Sequence, residues 1–303
     1  MYTGFFGLHA RPFTLTPDPA FLYQSRQHAM ALTMLEYGLD SHAPLLLLTG
    51  EIGAGKTTLI RRLIRDLGDR VAVGLISNTH ARVQSLFHWT LSALDLKVEG
   101  GGDVAAYEAI VAGTLAEYAR GRRTLLIVDE AQNLADEVVE ELRLLSNINS
   151  EQDLVLQIML AGQPELRDML QKPSMRQIAQ RVAADFHLRA LTRKETAAYV
   201  RHRLSVAGGA EDLFTPSALT LIHERTGGIP RLINQLCDYT LVYAFADQKR
   251  QIDKRVVTKV LRDREAFGAL PLFAAPVTAA APAATEGALP VPEPTPPDDV
   301  GMR

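Results

Sequence analysis

Gly50-Glu51-Ile52-Gly53-Ala54-Gly55-Lys56-Thr57 follows the apolar run Leu45 to Leu48 and precedes Leu59, Ile60, Leu63, Ile64 and Leu67, which recur on one helical face. The stretch matches G-x-x-x-x-G-K-[ST] in its confirming context of strand, loop and helix. Glycines let a backbone fold closely around phosphate oxygens with its N–H groups turned inward, and the following helix adds the positive end of its dipole. Lys56 is expected to reach the β and γ phosphates of a nucleotide, and Thr57 to hold Mg²⁺. The expected nucleotide-binding set is Gly50, Glu51, Ile52, Gly53, Ala54, Gly55, Lys56, Thr57 and Thr58. A glycine turn with a solvated lysine is the bland alternative, and it leaves the flanking strand and helix unexplained.

Thr124-Leu125-Leu126-Ile127-Val128-Asp129-Glu130 reads as a buried strand that ends in two acids. Alone such an ending is common at protein surfaces. Two βα steps after a phosphate loop, it assigns Asp129 to Mg²⁺ and Glu130 to activation of an attacking water. Further on, Gly162-Gln163-Pro164 ends the run Leu154 to Ala161, which is expected to lie beside the Asp129 strand. The Gln163 amide there can orient water or phosphate, or simply sit in a turn. Gly227-Gly228-Ile229-Pro230-Arg231 puts an arginine in the first turn of a helix, where it folds over the phosphates or stays solvated. The expected catalytic set on these readings is Lys56, Glu130, Gln163 and Arg231, with Arg231 also contacting nucleotide.

Working outward, Pro44 to Thr49, Val71 to Ser77, Thr124 to Asp129, Leu154 to Ala161 and Val182 to Leu188 read as strands. The first four are nearly continuous in apolar residues, as parallel strands covered on both faces are, and the segments between them are long enough for crossover helices. The expectation is a three-layer α/β core over residues 44–191, preceded by a lead and first helix over 1–43. After Leu191 helix punctuation takes over. Thr192 with Glu195 fits a capping box, Thr215-Pro216 an N-cap with proline next, and Gly227-Gly228 then Pro230 a helix break. A small all-α domain is placed at 192–268. Residues 269–303 are mostly Ala and Pro, with Pro290, Pro292, Pro294, Pro296 and Pro297 close together, and are expected to be a disordered tail.

Composition restricts the function further. The 303 residues are 47% hydrophobic and 22% charged, which excludes disorder for most of the chain. The net charge of -3 gives no global basic field for nonspecific nucleic acid, so any DNA contact must be local. The single cysteine, Cys237, excludes an internal disulfide and a Cys-paired zinc site, and it sits among Leu232, Ile233, Leu236 and Leu241 as a core residue. No stretch reaches the roughly 18 apolar residues of a spanning helix, so the protein is expected to be cytoplasmic. Phe87 and Trp89 fall in an expected amphipathic helix, Val83 to Leu94, as packing residues, and Arg61, Arg62 and Arg65 read as a solvated helix face.

With these motifs in place the sequence resembles the AAA+ ATPases, more narrowly the ExeA/GspA-type secretion ATPases and their exosortase- and exopolysaccharide-associated relatives. The resemblance covers residues 1–268. It is carried by Phe5-Phe6-Gly7-Leu8, Pro12-Phe13, Pro17-Asp18-Pro19, Phe21-Leu22-Tyr23, the phosphate loop, Ile127 to Leu134, Gly162 to Leu166 and Thr226 to Arg231. It implies a P-loop NTPase sheet of AAA+ type followed by an α-helical lid, with ATP and Mg²⁺ as cofactors. It also implies a sensor 1 role for Gln163, a sensor 2 role for Arg231, and a place near the adenine for Pro12 to Tyr23. A homo-oligomeric ring would bring an arginine finger in trans, for which Arg176 and Arg181 are candidates and Arg181 is preferred. The implied partners are envelope secretion or polysaccharide-export components, with a peripheral place at the inner membrane. Secretion members continue into a transmembrane helix and a periplasmic peptidoglycan-binding region. Ala269 to Arg303 is too proline-rich to span, which favours the shorter layout of the exopolysaccharide-associated relatives. Transposition ATPases share the core type, so ATP-dependent DNA binding is the rival reading. A small-molecule kinase lacks an evident acceptor pocket here, and no L-S-G-G-Q segment supports an ABC-type ATPase.

Overall fold

The computed structural model describes residues 1–16, 18–77, 85–135, 138–149 and 154–268. Pro17, the first residues of the expected helix from Val83, and the Ala/Pro tail lie outside that range.

Alternating apolar runs make one five-stranded sheet of β1 (Leu45–Gly50), β2 (Val71–Ile76), β3 (Arg123–Val128), β4 (Leu156–Gly162) and β5 (Val182–Leu188). Its order is β2-β3-β4-β1-β5, and every pairing is parallel. Parallel strands need crossovers, and helices supply them. Helices α1 (Tyr2–Phe5) and α2 (Arg26–Asp40) precede the sheet, and α3 (Lys56–Leu67) joins β1 to β2. Then α4 (Leu86–Ala93) and α5 (Asp103–Ala119) lead to β3, α6 (Val138–Leu145) to β4, and α7 (Glu165–Gln171) and α8 (Arg176–Ala179) to β5. The chain ends its described part in α9 (Arg193–Val206), α10 (Pro216–Thr226), α11 (Pro230–Ala246) and α12 (Lys254–Phe267).

Side chains alternate between the two faces of a strand, and both faces here are covered. Leu45, Leu47, Leu126, Val128, Ile158 and Leu160 join one core with residues of α4 to α8. Leu46, Leu48, Leu125, Ile127, Met159 and Ala161 join a second with α2 and α3. All residues of β1 and β4 are buried accordingly. β2 departs from the expected two-sided burial. It pairs only with β3, and as an edge strand leaves Leu75 exposed. Leu154 also falls outside its expected strand, because it bridges antiparallel to Asn149 before β4 begins.

The C-terminal helices follow their punctuation. Thr192 and Glu195 form a reciprocal capping box on α9, Thr215 accepts from the Ala218 N–H with Pro216 at the first position of α10, and Pro230 opens α11. Their core holds Cys237, Leu236 and Ile233, and the N-terminal residues Tyr2, Leu8, Phe13 and Phe21 pack into it. The lead is therefore built into the helical part, with Phe13 edge-on to Phe214 at 6.0 Å. In α4, Phe87 is buried against Tyr107, whereas Trp89 faces outward at 39% exposure, so the packing expected of both applies to Phe87.

Candidate nucleotide site

A sheet in the order 2-3-4-1-5 separates β1 from its neighbour in sequence, and the crevice at the carboxyl ends of such strands is where open α/β sheets bind ligands. Gly50 to Lys56 leave β1 there. Gly53 (φ 81°) and Gly55 (φ 107°) take left-handed conformations that other residues rarely adopt, and Gly55 caps α3. Gly53 is also crowded, since a Cβ on it would lie 2.5 Å from the Arg231 Cβ. The Arg231 N–H donates to the Gly53 carbonyl at 3.3 Å, so α11 starts directly on the phosphate loop.

The Lys56 side chain is 6% exposed and donates to the Gly50 and Glu51 carbonyls at 2.6 and 3.1 Å. Burial lowers its pKa, against the attraction of Glu130, Asp129 and Glu51. Thr57 Oγ1 donates to Asp129 Oδ2 at 3.1 Å, across β4 in the sheet order. Asp129 continues the β3 ladder through its N–H to the Ile76 carbonyl, which aims its carboxylate into the crevice. Burial raises the Asp129 pKa, opposed by hydrogen bonds from the Glu130 N–H and Thr57.

Glu130 has a left-handed backbone, φ 55° and ψ 37°, and opens a short 3₁₀ turn, Ala131–Asn133. Its Oε2 accepts from Gln132 Nε2 at 2.7 Å and from Gln163 Nε2 at 3.2 Å. Burial pushes its pKa up, but the two amide donors and Lys56 outweigh that and hold the carboxyl below its ordinary value.

These groups border a cleft of about 240 Å³ between the phosphate loop, the segments Thr14 to Thr16 and Phe21 to Tyr23 with Asp18, and the C-terminal helices. Lys56, Thr57, Thr58, Glu130 and Arg231 line it, and Gln163 and Asp129 stand directly behind through their hydrogen bonds. Arg181 is elsewhere, donating to the Ser146 carbonyl and hydroxyl and to Asn147 at the end of α6. Arg176 is exposed on α8.

The structure adds residues that the sequence gave no separate reason to select. His28 in α2 is buried, shares a 2.8 Å hydrogen bond with Ser25, and bonds to the Ala54 backbone of the phosphate loop; burial lowers its pKa. Tyr199, Arg203 and Asn234 form a buried relay at the cleft wall. Arg203 donates to the Pro12 carbonyl and to the Tyr199 hydroxyl, Tyr199 donates to Asn234 Oδ1 at 2.8 Å, and Asn234 Nδ2 donates to the Thr14 carbonyl. The four-residue spacing of Tyr199 and Arg203 on one helix face is visible in the sequence, but the Pro12 carbonyl that Arg203 meets, 191 residues away, is not.

Residues 39–170 match the family described as "AAA domain". General secretion pathway protein A of Aeromonas hydrophila is 43% identical over 253 residues, which cover 83% of this chain and 46% of that protein. The chain thus spans about half the length of this curated relative. Among solved structures, the ORC2 protein of Aeropyrum pernix superimposes with a TM-score of 0.62 at 19% identity, covering 84% of this chain and 71% of that one. Cdc6p of Pyrobaculum aerophilum gives 0.64 at 17% identity, covering 83% and 70%. At those identities the structural likeness concerns the fold alone. Among the described residues no helix is long and apolar enough to cross a membrane.

Proposed function

Because the chain belongs to the AAA ATPases of the general secretion pathway protein A type, we propose that it hydrolyses Mg²⁺-bound ATP to drive or switch assembly of an envelope secretion or exopolysaccharide-export machine. The observation that carries the chemistry is the convergence of Lys56, Thr57, Asp129, Glu130 and Arg231 around one crevice.

Each group has a physical task. The N–H groups of the glycine loop and the Lys56 ammonium bind the β and γ phosphates. Thr57 Oγ1 and Asp129 Oδ2 are hard oxygen donors 3.1 Å apart, the small donor set that Mg²⁺ uses when phosphate oxygens and water complete its shell. Bound there, the ion would neutralise charge on the phosphate oxygens. Glu130 orients the attacking water and accepts its proton, and its lowered pKa keeps it ionised at neutral pH. Gln163 holds that carboxylate from the β4 side. Arg231 lies on the helix that rests on Gly53, so loss of the γ phosphate would change the contact between helical part and loop. A homo-oligomer would bring Arg181 of one subunit, or Arg176, to the γ phosphate of its neighbour.

Turnover and nucleotide affinity test this reading together. Glu130→Gln is expected to keep ATP affinity while turnover falls about 10²- to 10⁴-fold. Lys56→Ala should lose binding. In its native cell, the Glu130→Gln form should fail to support export. Wild-type turnover in either variant would overturn the site assignment, and DNA-stimulated, salt-sensitive turnover would redirect the function to nucleic acid.

A further inference from the structure

Gln132 is two residues beyond the acid that the reaction uses, and its amide is committed at both ends. Nε2 donates to Glu130 Oε2 at 2.7 Å, and Oε1 accepts the Gln163 N–H at 3.0 Å. The backbone is shaped around it. Glu130 takes a left-handed conformation that a non-glycine residue adopts only at a cost, and such strain gathers at functional sites. That turn starts the 3₁₀ segment from which the Gln132 side chain reaches back to the carboxylate. On the other side Gly162 leaves room for the amide, since a Cβ there would lie 2.5 Å from Gln132 Oε1. Gln132 does not itself line the cleft.

We propose that Gln132 is the positioning residue of the hydrolytic site, fastening the Glu130 carboxylate to the β4 loop so that Glu130 and Gln163 present themselves to the water as one unit. The inference rests on the reading of Glu130 as the water-activating group. Gln163 shares Glu130 Oε2 with Gln132, so the three side chains and the Gln163 N–H form a closed ring of hydrogen bonds. A glutamine serves because one planar group supplies both a donor and an acceptor. Glutamate has the same shape and keeps the acceptor for Gln163 N–H, but replaces the donor by a charge that repels Glu130.

The test is ATP turnover and nucleotide affinity in Gln132→Ala, Gln132→Glu, Glu130→Gln and the double variant Glu130→Gln/Gln132→Ala. A hydrogen bond to a charged group sets the scale, so Gln132→Ala should lower kcat about 10- to 100-fold. Affinity for nucleotide should stay within about twofold, which also verifies folding. Gln132→Glu should lower kcat at least as far, since Glu130 loses its donor and faces a like charge in its place. The double variant should be no slower than Glu130→Gln alone. Gly162→Ala, which displaces the same amide oxygen, should also lower kcat with nucleotide affinity kept. Unchanged kcat in Gln132→Glu would overturn the proposal even if Gln132→Ala fails to fold. So would a double variant clearly slower than Glu130→Gln. If Glu130→Gln itself turns over at the wild-type rate, the reading of Glu130 fails, and that outcome is separate from any result at Gln132.

Discussion

The Lys56 ammonium sits 6% exposed over two backbone carbonyls, and burial holds its pKa below the ordinary value despite the carboxylates of Glu130, Asp129, Glu51 and Glu165. A depressed lysine pKa means that the folded state disfavours the charge more than the unfolded chain does, so the Lys56 charge weakens the fold, a cost that phosphate binding at the proposed site would offset. Lys56→Met removes that charge while keeping the stem. We expect the nucleotide-free variant to unfold at a higher temperature, by the equivalent of about 0.5–2 kcal/mol, with turnover lost. A lower thermal midpoint would show that the ammonium's hydrogen bonds outweigh its desolvation. The histidines act through pH. His28, His187 and His223 all have pKa values lowered by burial. Below the unfolded value near 6.5 the unfolded chain takes up protons that the native state resists, so stability falls as pH drops through that window. Thermal midpoints at pH 7.5 and 5.5 should differ in that direction, and His28→Asn should narrow the difference. Equal midpoints in the wild type would remove the histidines from the pH response.

Among the elements, the stretch before β1 departs most from what its own sequence suggests. Residues 1–16 and 18–23 read locally as an irregular proline-rich lead, and only the resemblance to AAA+ ATPases put them near the adenine. In the fold Phe13 is 1% exposed against Phe214, Tyr2 donates to Asp238, and the Pro12 carbonyl receives Arg203. These partners lie about 190 to 240 residues away, so no local periodicity reports them. The strands were legible for the opposite reason. Their apolar runs, the phosphate loop and the acid pair are local signals, and parallel order follows from alternation with helices. The edge position of β2, the His28 contact and the Gln132 ring depend on which strands become neighbours, which a single sequence does not display. Phe13→Ala should cost about 3–5 kcal/mol in denaturant unfolding, as for other buried phenylalanines. A change near zero would detach the lead from the helical core. Gly228→Ala should also be severe, because its Cβ would lie 2.0 Å from the Leu191 carbonyl at the junction between β5 and the helices.

At the scale of the whole molecule, the cations that line the cleft among the described residues are Lys56, Arg203 and Arg231. Arg203 is spent on Pro12 and Tyr199, so one chain offers Lys56 and Arg231 to a triphosphate. Loose phosphoryl transfer gains about 10³- to 10⁵-fold from one further arginine at the γ phosphate. Within the chain Arg181 is held at the end of α6 by Ser146 and Asn147, away from its own cleft, and under the proposed trans arrangement that would be a rigid mounting for a group reaching a neighbour's site. ATP turnover per subunit should therefore rise with protein concentration and level off when assembly is complete. Arg181→Ala should lose most of that turnover with nucleotide affinity unchanged. Mixing decides between a neighbour's arginine and a site completed within one chain. Lys56→Ala subunits are expected to bind no ATP but keep Arg181, and Arg181→Ala subunits to keep the ATP site. Each preparation should be slow alone, and the mixture should recover turnover at sites where an intact Arg181 faces bound ATP. Absence of recovery, with both variants folded and able to co-assemble, would remove Arg181 from this role and direct the same experiment to the exposed Arg176.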